Sequence, residues 1–412
     1  MSNPRMRILI VGLHYAPEVT GNAPYTSSLA RGLSKRGHDV RVITGYPHYP
    51  DWKVFDGFDR RSMSTVEDGV CVERRRQYVP ASPSPIMRLL SECSYGFRLL
   101  LARWGKPDVV LAVSPALFGS VFAVLKMGVL RLPGGVWVQD LYSLGVTETG
   151  QGGATLGRVM KAIEGATLRS VRGVSVIHDR FRMQAITGLS VPESRVRVIR
   201  NWSHIGAVGP FDRDAVRERM GWRPDEVIAL HAGNMGVKQG LENVVEAARV
   251  ADDTNANVRF VLLGNGNQRS KLLAQAEGVQ HIQFLDPLAD GEFLEVLGSA
   301  DVLVVNELAG VSEMSVPSKL TTYFSTGLPV VAATNIGGAT ASEIEASGGG
   351  IRVDAGDPRA LVDAILALES DPELAAKLGA AGLAFRDAHL TEDAAIDSYA
   401  EWLASLVASK RK

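Results

Sequence analysis

The chain reads as an α/β protein built from two Rossmann-like, doubly wound domains. Three observations predict this. Short, near-continuous apolar runs recur along both halves, each followed by a turn and a helical pattern, as parallel strands covered on both faces require. The runs pause over residues 201–226, which splits them into two series. A chain of 412 residues also exceeds what one hydrophobic core usually organises.

In the first series, "RILIVGL", "DVRVITG", "DVVLAVS", "GVWVQD", "GVSVIH" and "RVRVIRN" are the expected buried strands. Between the first two, "YTSSLARGLSKRGH" puts Tyr25, Leu29 and Leu33 on one helical face, and Gly37 is a suitable stop. The pause, "NWSHIGAVGPFDRDAVRERMGWRPDE", contains Gly206, Gly209 and Pro210 and is the expected linker. The second series follows as "EVIALHAG", "VRFVLLGNG", "IQFLDP", "DVLVVNE", "PVVAATN" and "GIRV", and the tail is helical. The expected domains are residues 1–205 and 206–390, facing across a cleft, with a terminal helix over 391–412.

Composition excludes several classes. The chain has 44 Lys+Arg against 45 Asp+Glu, a net charge of −1, which gives no general attraction to nucleic acid. Cys71 and Cys93 show neither CxxC nor metal-ligand spacing, so a reduced compartment is expected. The opening "MSNPRMRILIVGLHY" reads as a first strand, because its apolar run is too short for a signal peptide. Nor does any window reach the ~18 apolar residues of a membrane span. "VFAVLKMGVLRL" comes nearest, interrupted by Lys126 and Arg131. A cytoplasmic protein is expected.

Ligands of doubly wound domains bind beyond the carboxyl ends of the strands. There lies "HAGNMGVKQG", where Gly233 and Gly236 allow close backbone approach and Lys238 supplies a positive charge. It reads equally as a structural turn or as a phosphate cradle. "GNGNQR" begins like a dinucleotide fingerprint, but Arg269 replaces the third glycine, which disfavours a dinucleotide site. In "EMSVPSKLTTYFSTGLPVVAA", Ser315 and Pro317 are the expected cap and start of a short helix ending before Gly327. Lys319 in its first turn opposes the helix dipole, a conflict that an anionic ligand would remove.

In the first half, Gly21 and Asn22 follow the first strand at the expected cleft, and Asp140 follows "VWVQ". Asp140 fits either a carboxylate that orients or deprotonates a hydroxyl, or an ordinary helix cap. His14, His48 and His178 are scattered, lack HxH or HExxH spacing, and are expected as surface or capping residues, so no metal site is expected. The segment 83–106 is apolar with Arg88, Arg98, Arg103 and Lys106. Its ordinary reading is a helix packed on the core with basic residues exposed, and its alternative is peripheral membrane contact.

Taken in order, "HYAPEVTGNAPYT", "GHDVRVITGYPHYPDW", "VQDLYSLGVTETG", "VRVIRNW", "GNMGVKQGLENVVEAA", "LLGNGNQR" and "VPSKLTTYFSTGLPVVA" resemble a known family over nearly the whole chain. It is similar to the retaining GT-B glycosyltransferases of family 4, most of all the WcaI/WbuB-like branch of exopolysaccharide and O-antigen assembly. The resemblance implies acceptor binding by the first domain, nucleotide-sugar binding by the second, and return of the terminal helix to the first. It also implies metal-independent transfer with retention, with the nucleotide-sugar a substrate and no cofactor. The acceptor would be a glycan or lipid-linked sugar, and the enzyme would be cytoplasmic or peripheral at the inner membrane face.

By resemblance, Lys238 and the helix start at Ser318 and Lys319 would offset the charge of the departing diphosphate. Gly21 and Asn22 would border donor phosphates and acceptor, Asp140 would face the sugar, and Gly233, Gly264 and Gly266 would shape the donor pocket. Two departures stand out. Asn234 occupies a position where many members carry arginine, and Thr322 and Met314 occupy the two positions of a Glu-x7-Glu motif, with Glu313 adjacent. Lys319 is the expected substitute for the missing arginine. The rival readings are a GT-B sugar-nucleotide epimerase and a non-catalytic relative that binds a sugar nucleotide.

Overall fold

The computed structural model describes residues 4–19, 21–58, 60, 62–82, 84–141, 153–202, 209–310 and 318–409. They form two compact units. Unit 1 comprises the chain up to Trp202 together with the residues from Glu392 onward, and unit 2 comprises the residues between.

Unit 1 is an eight-stranded sheet: β1 Arg7–Gly12, β2 Asp39–Thr44, β3 Ser62–Glu67, β4 Val70–Arg75, β5 Val109–Ser114, β6 Gly134–Val138, β7 Gly173–Val176 and β8 Val196–Val198. The strand order is β3-β4-β2-β1-β5-β6-β7-β8, parallel throughout except for the β3–β4 hairpin. Every residue of β5, β6 and β7 is buried, as strands covered on both faces must be. Helix α1 (Ala23–Lys35) follows β1, burying Leu29 and Leu33, and Gly37 continues beyond its end with φ +86°.

The C-terminal helix Glu392–Ala408 belongs to this unit, and small residues make its seat. A Cβ on Gly135 would come 2.6 Å from the Trp402 ring, and one on Gly32 would come 2.1 Å from Ile396. Tyr399 packs its ring 4.9 Å from that of Trp137, while Arg36 donates to Asp397 and Asp393 at the helix start.

Unit 2 holds β9 Val227–Ala232, β10 Val258–Leu263, β11 Ile282–Leu285, β12 Val302–Asn306, β13 Val330–Ala333 and β14 Gly350–Val353. All are parallel in the order β11-β10-β9-β12-β13-β14. Buried side chains form one apolar layer on each face of this sheet. Strand order therefore reverses between β9 and β12 here, and between β1 and β5 in unit 1.

The expected linker over 201–226 is corrected in part. Residues 203–208 lie outside the described set, but Arg213–Met220 is a helix of unit 2. Asp212 caps it by accepting from the N–H groups of Asp214 and Ala215, and Val216 and Trp222 enter the core. The β3–β4 hairpin was not expected from the apolar pattern. Both cysteines are free thiols.

Candidate functional site

In unit 2 the loop after β9 occupies the switch point, where doubly wound sheets bind ligands. Gly233 takes φ +125°. A Cβ there would come 3.0 Å from Lys319 Cε, so the glycine makes room for the lysine to lie across the loop. Lys319 Nζ ends 2.9 Å from Nε2 of His231. Nδ1 of that imidazole lies 3.1 Å from the Val304 carbonyl, which can only accept. Nδ1 therefore carries the proton, and Nε2 accepts an ammonium N–H. Burial, and then the ammonium itself, hold the His231 pKa well below its usual value. The ring is a neutral partner that orients the charge of Lys319 without cancelling it.

Lys238 is exposed on the single 3₁₀ turn Val237–Gln239. Its carbonyl accepts from the Leu308 N–H at 2.9 Å, tying the loop after β9 to the loop after β12. Asn306, 2% exposed, donates from Nδ2 to the carbonyls of Gln239 and Gly240 at 2.8 Å each, and accepts from Asn243. The loop after β10 is pressed against the same backbone. A Cβ on Gly264 would lie 2.1 Å from the Gly233 oxygen, and one on Gly266 2.4 Å from that of Met235. Asn234 stands exposed in the loop after β9.

The third segment supplies the helix Ser318–Tyr323, followed by a 3₁₀ turn and Gly327 at φ +69°. Thr322 is buried in it, and its carbonyl accepts from Ser325 Oγ at 2.6 Å. Ser315 and Pro317, expected as cap and first turn, lie outside the described residues, as do Glu313 and Met314. Unit 2 thus brings together Lys319, Gly233, Gly264 and Gly266, with Lys238 on the same loop as Gly233. His231 and Asn306, which are not among the expected site residues, hold the lysine and the loop in place. A histidine and an asparagine inside otherwise apolar strands were the available signal.

In unit 1, Gly21 has φ +62° and Asn22 precedes α1. Asn22 Nδ2 donates to the Ser114 carbonyl at 3.4 Å, and Ser114 Oγ donates to the Asp140 carbonyl at 3.4 Å. Ser114, at the end of β5, therefore links Asn22 and Asp140 across the switch point of this sheet. The Asp140 carboxylate accepts from the Leu141 N–H at 2.8 Å.

The histidines require a correction. His178 caps the helix Asp179–Met183 as a capping residue would. His14 and His48 instead come together around Glu18, because β1 and β2 are neighbouring parallel strands and both residues lie in the loops beyond them. His14 Nδ1 lies 2.7 Å from Glu18 Oε2, while Oε1 accepts from the N–H groups of His48 and Tyr49 at 2.7 and 2.9 Å. The two imidazoles stack with centroids 5.4 Å apart. Burial pushes the Glu18 carboxyl up, but His14 and the two amides outweigh it and hold it below its usual value. Burial also lowers His48, whose ring has no exposed surface. The potential ligand atoms of His14, Glu18 and His48 lie within 4.8 Å of one another, a donor set that suits zinc.

The segment 83–106 contains helix α2 (Pro85–Leu101), packed against helix α3 (Leu117–Leu130). Lys126, which interrupts the apolar run of α3, donates to the carbonyls of Leu99, Leu100 and Ala102 at the end of α2. Arg98, Arg103 and Lys106 are exposed, while Arg88 lies over the Trp52 ring at 5.2 Å. The outer face is also apolar: Ile86, Leu90, Phe97 and Leu101 of α2 and Leu125 and Val129 of α3 are exposed. Among the described residues no helix is long and apolar enough to cross a membrane.

Comparison with known proteins follows these two units. The model of the glycosyl transferase 4-like domain matches residues 20–202, and that of glycosyl transferases group 1 matches residues 212–384. WcaI of Escherichia coli (strain K12), provisionally named a colanic acid biosynthesis glycosyl transferase, is 33% identical over 335 residues, 78% of this chain and 82% of WcaI. The chain belongs to the family 4-like glycosyltransferases. Solved structures share the fold of this glycosyltransferase at low identity. Sucrose-phosphate synthase from Thermosynechococcus elongatus matches with a TM-score of 0.71 at 17% identity, over 98% of this chain and 100% of that one. HepE of Anabaena, solved in complex with UDP-glucose, matches with a TM-score of 0.64 at 16% identity, over 96% and 99%.

Proposed function

We propose that this glycosyltransferase moves a sugar, with retention and without a metal ion, from a nucleotide-sugar to a glycan or lipid-linked acceptor in surface polysaccharide biosynthesis. The observation that carries the reading is Lys319 laid over Gly233 and steadied by neutral His231 at the unit 2 switch point. As the bond from the anomeric carbon to the diphosphate breaks, negative charge gathers on the leaving oxygen. A fixed ammonium beside glycine backbone offsets that charge at the moment it develops. Exposed Lys238 on the same loop adds a second, more solvated cation. HepE, a structural neighbour, was solved with UDP-glucose, and WcaI is assigned to colanic acid biosynthesis; both support this donor and pathway class.

Peripheral contact with the inner membrane face is part of the same reading. The exposed apolar residues of α2 and α3, beside Arg98, Arg103 and Lys106, support it, since basic amphipathic surfaces bind anionic lipid. Such contact would deliver a lipid-linked acceptor to unit 1.

A panel of UDP-, GDP- and ADP-sugars, screened first by thermal shift and then for transfer to a polyprenyl-linked sugar, tests the reading. Lys319→Ala should lower transfer by about 100-fold, as loss of one preorganised charge does, and Lys238→Ala by less. Unchanged kinetics in both variants would remove the phosphate-site model. In vesicle flotation with anionic lipid, Phe97→Ser with Leu101→Ser should abolish binding. Retained binding would rule out that face.

A further inference from the structure

The segment 83–106 holds four basic side chains, and one of them differs from the rest. Among the described residues no ion pair or ring contact holds Arg98, Arg103 or Lys106, whereas the Arg88 guanidinium lies over the Trp52 ring, 5.2 Å from its centroid. We propose that Arg88, presented by Trp52, binds the phosphate that joins lipid to sugar in a polyprenyl-linked acceptor. The site lies wholly in unit 1, and it rests on the reading that this glycosyltransferase uses a lipid-linked acceptor.

A guanidinium stacked on an indole is engaged only through its face. Its five N–H groups lie in its own plane and stay free for phosphate oxygens. Arg88 is exposed and pairs with no carboxylate among the described residues, so no such group competes for those donors. Arg74 shows the contrast. It too lies over a ring, that of Phe58, but its N–H groups are taken by Glu67 and by the Ala16 carbonyl.

Trp52 is fixed from several sides. The His48 and Tyr49 rings meet it edge-on, at 5.4 and 6.3 Å between centroids. Its backbone has φ +53°, a left-handed value that bulky residues rarely adopt. The connection from β2 to β3 that carries it begins at the carboxyl end of β2, the side of the sheet where ligands of this fold bind. Arg88 stands in the first turns of α2, so the stack joins that side to the exposed apolar residues Ile86 and Leu90. One guanidinium between an apolar helix surface and a ligand-side loop suits a phosphate with a lipid chain on one side and a sugar on the other. A cation held in place favours a single bound phosphate, while the three unheld cations favour a diffuse anionic surface.

Calorimetry on the full-length protein tests this with farnesyl diphosphate-linked glucose, with farnesyl glucoside, which lacks the phosphates, and with inorganic diphosphate. Arg88→Gln should weaken the first about tenfold, the usual weight of a charge-assisted hydrogen bond, and leave farnesyl glucoside unchanged. Trp52→Leu should weaken it about threefold through the lost cation–π contact. Arg88→Lys should recover only part of the affinity, because an ammonium has neither the fork nor the stack. A change confined to the phosphate-bearing probe, with the thermal shift by the selected nucleotide-sugar kept, separates recognition from a loss of fold. Equal affinity of wild type and Arg88→Gln for farnesyl diphosphate-linked glucose would overturn the proposal. Inorganic diphosphate binding as tightly as the lipid-linked probe would also overturn it, since the site would then hold an adventitious ion only. Weaker flotation of Arg88→Gln on phosphatidylglycerol vesicles, with head-group affinity unchanged, would make Arg88 a membrane contact and sink the idea as well. Nucleotide-sugar binding without transfer, together with an intact Arg88 effect, would overturn the glycosyltransferase reading and keep the lipid-phosphate site.

Discussion

The two units share the strand order around the switch point, β2-β1-β5 in one and β10-β9-β12 in the other, and diverge in the loop after the first strand. Counted from the strand ends, Leu13 and His14 of unit 1 stand where Gly233 and Asn234 stand in unit 2. In unit 2 Gly233 opens that loop and Lys319 crosses it, with its ammonium against neutral His231. In unit 1 the same place holds an imidazole locked to a carboxylate. The first arrangement suits phosphate oxygens and the second suits a hydroxyl. One backbone topology therefore carries two different chemistries in the same loop, and side chains at two or three positions make the difference.

The sharpest way to break this comparison uses the glycines that follow the second strands, Gly264 after β10 and Gly45 after β2. Gly264 has φ +136°, and its Cβ would meet the Gly233 carbonyl at 2.1 Å, a backbone atom that cannot step aside. At Gly45 the nearest atoms are the Leu13 Cδ1 methyl at 2.8 Å, and the Gln77 side-chain oxygen and the Leu13 carbonyl oxygen at 3.0 Å each, a shallower overlap at a residue without positive φ. Gly264→Ala should cost more than about 3 kcal/mol through steric overlap and left-handed strain. Gly45→Ala should cost about 1 kcal/mol. Urea melts of both variants would check this. Equal losses would mean that the two loop pairs are built alike.

Much of this architecture is legible in the sequence, for a physical reason. A strand buried on both faces needs an unbroken apolar run, and each of the twelve runs quoted from the sequence coincides with a parallel strand. The β3–β4 hairpin escaped that test because β3, "SMSTVE", alternates between exposed and half-buried residues. The Asp68–Gly69 pair, both with positive φ, was the signal for it. Lys238 and Lys319 stood out as cations near glycine-rich or helix-start segments. Their partners did not, since His231 and Lys319 are 88 residues apart and meet only through strand order. Histidine spacing along the chain carries no trace of this pairing, because His48 and Glu18 meet in the loops beyond adjacent parallel strands, 30 residues apart.

A smaller effect contrasts two carboxylates within unit 1. Glu18, compensated by His14 and two amides, is held below its usual value, while Glu92 of α2 is pushed up to about 7. Burial raises Glu92, and the N–H groups of Phe118 and Leu117 at the start of α3 only partly oppose it. A carboxyl raised in the folded state contributes stability that is full below its ordinary value of 4.5 and lost as pH rises through about 7. The loss amounts to at most about 3 kcal/mol. Glu18 acts in the other direction, its contribution being present above 4.5 and lost as pH falls through its lowered value. Glu92→Gln should therefore flatten the stability profile between pH 4.5 and 7 and leave the acid limb in place. A slope that persists in Glu92→Gln would assign it elsewhere.

The smallest expected effect sharpens the comparison most. Asn234, the counterpart of His14 and the position where the family resemblance leads one to expect arginine, is exposed. An arginine there would add a solvated cation to the loop that Lys319 crosses, where donor phosphates are proposed to bind. Screened charges of this kind contribute about 0.5 kcal/mol, so Asn234→Arg alone should tighten donor binding by no more than about threefold. In the Lys319→Ala background only the more solvated Lys238 remains to share that task. Asn234→Arg should then recover at least part of the lost transfer, and calorimetry with the selected donor alongside transfer rates would read both cases. If Asn234→Arg raised activity strongly in the wild type and gave no rescue in Lys319→Ala, the two positions would be doing different jobs. Lys319 would then not be the replacement for the missing arginine, and the positive character of the unit 2 loop would need another source.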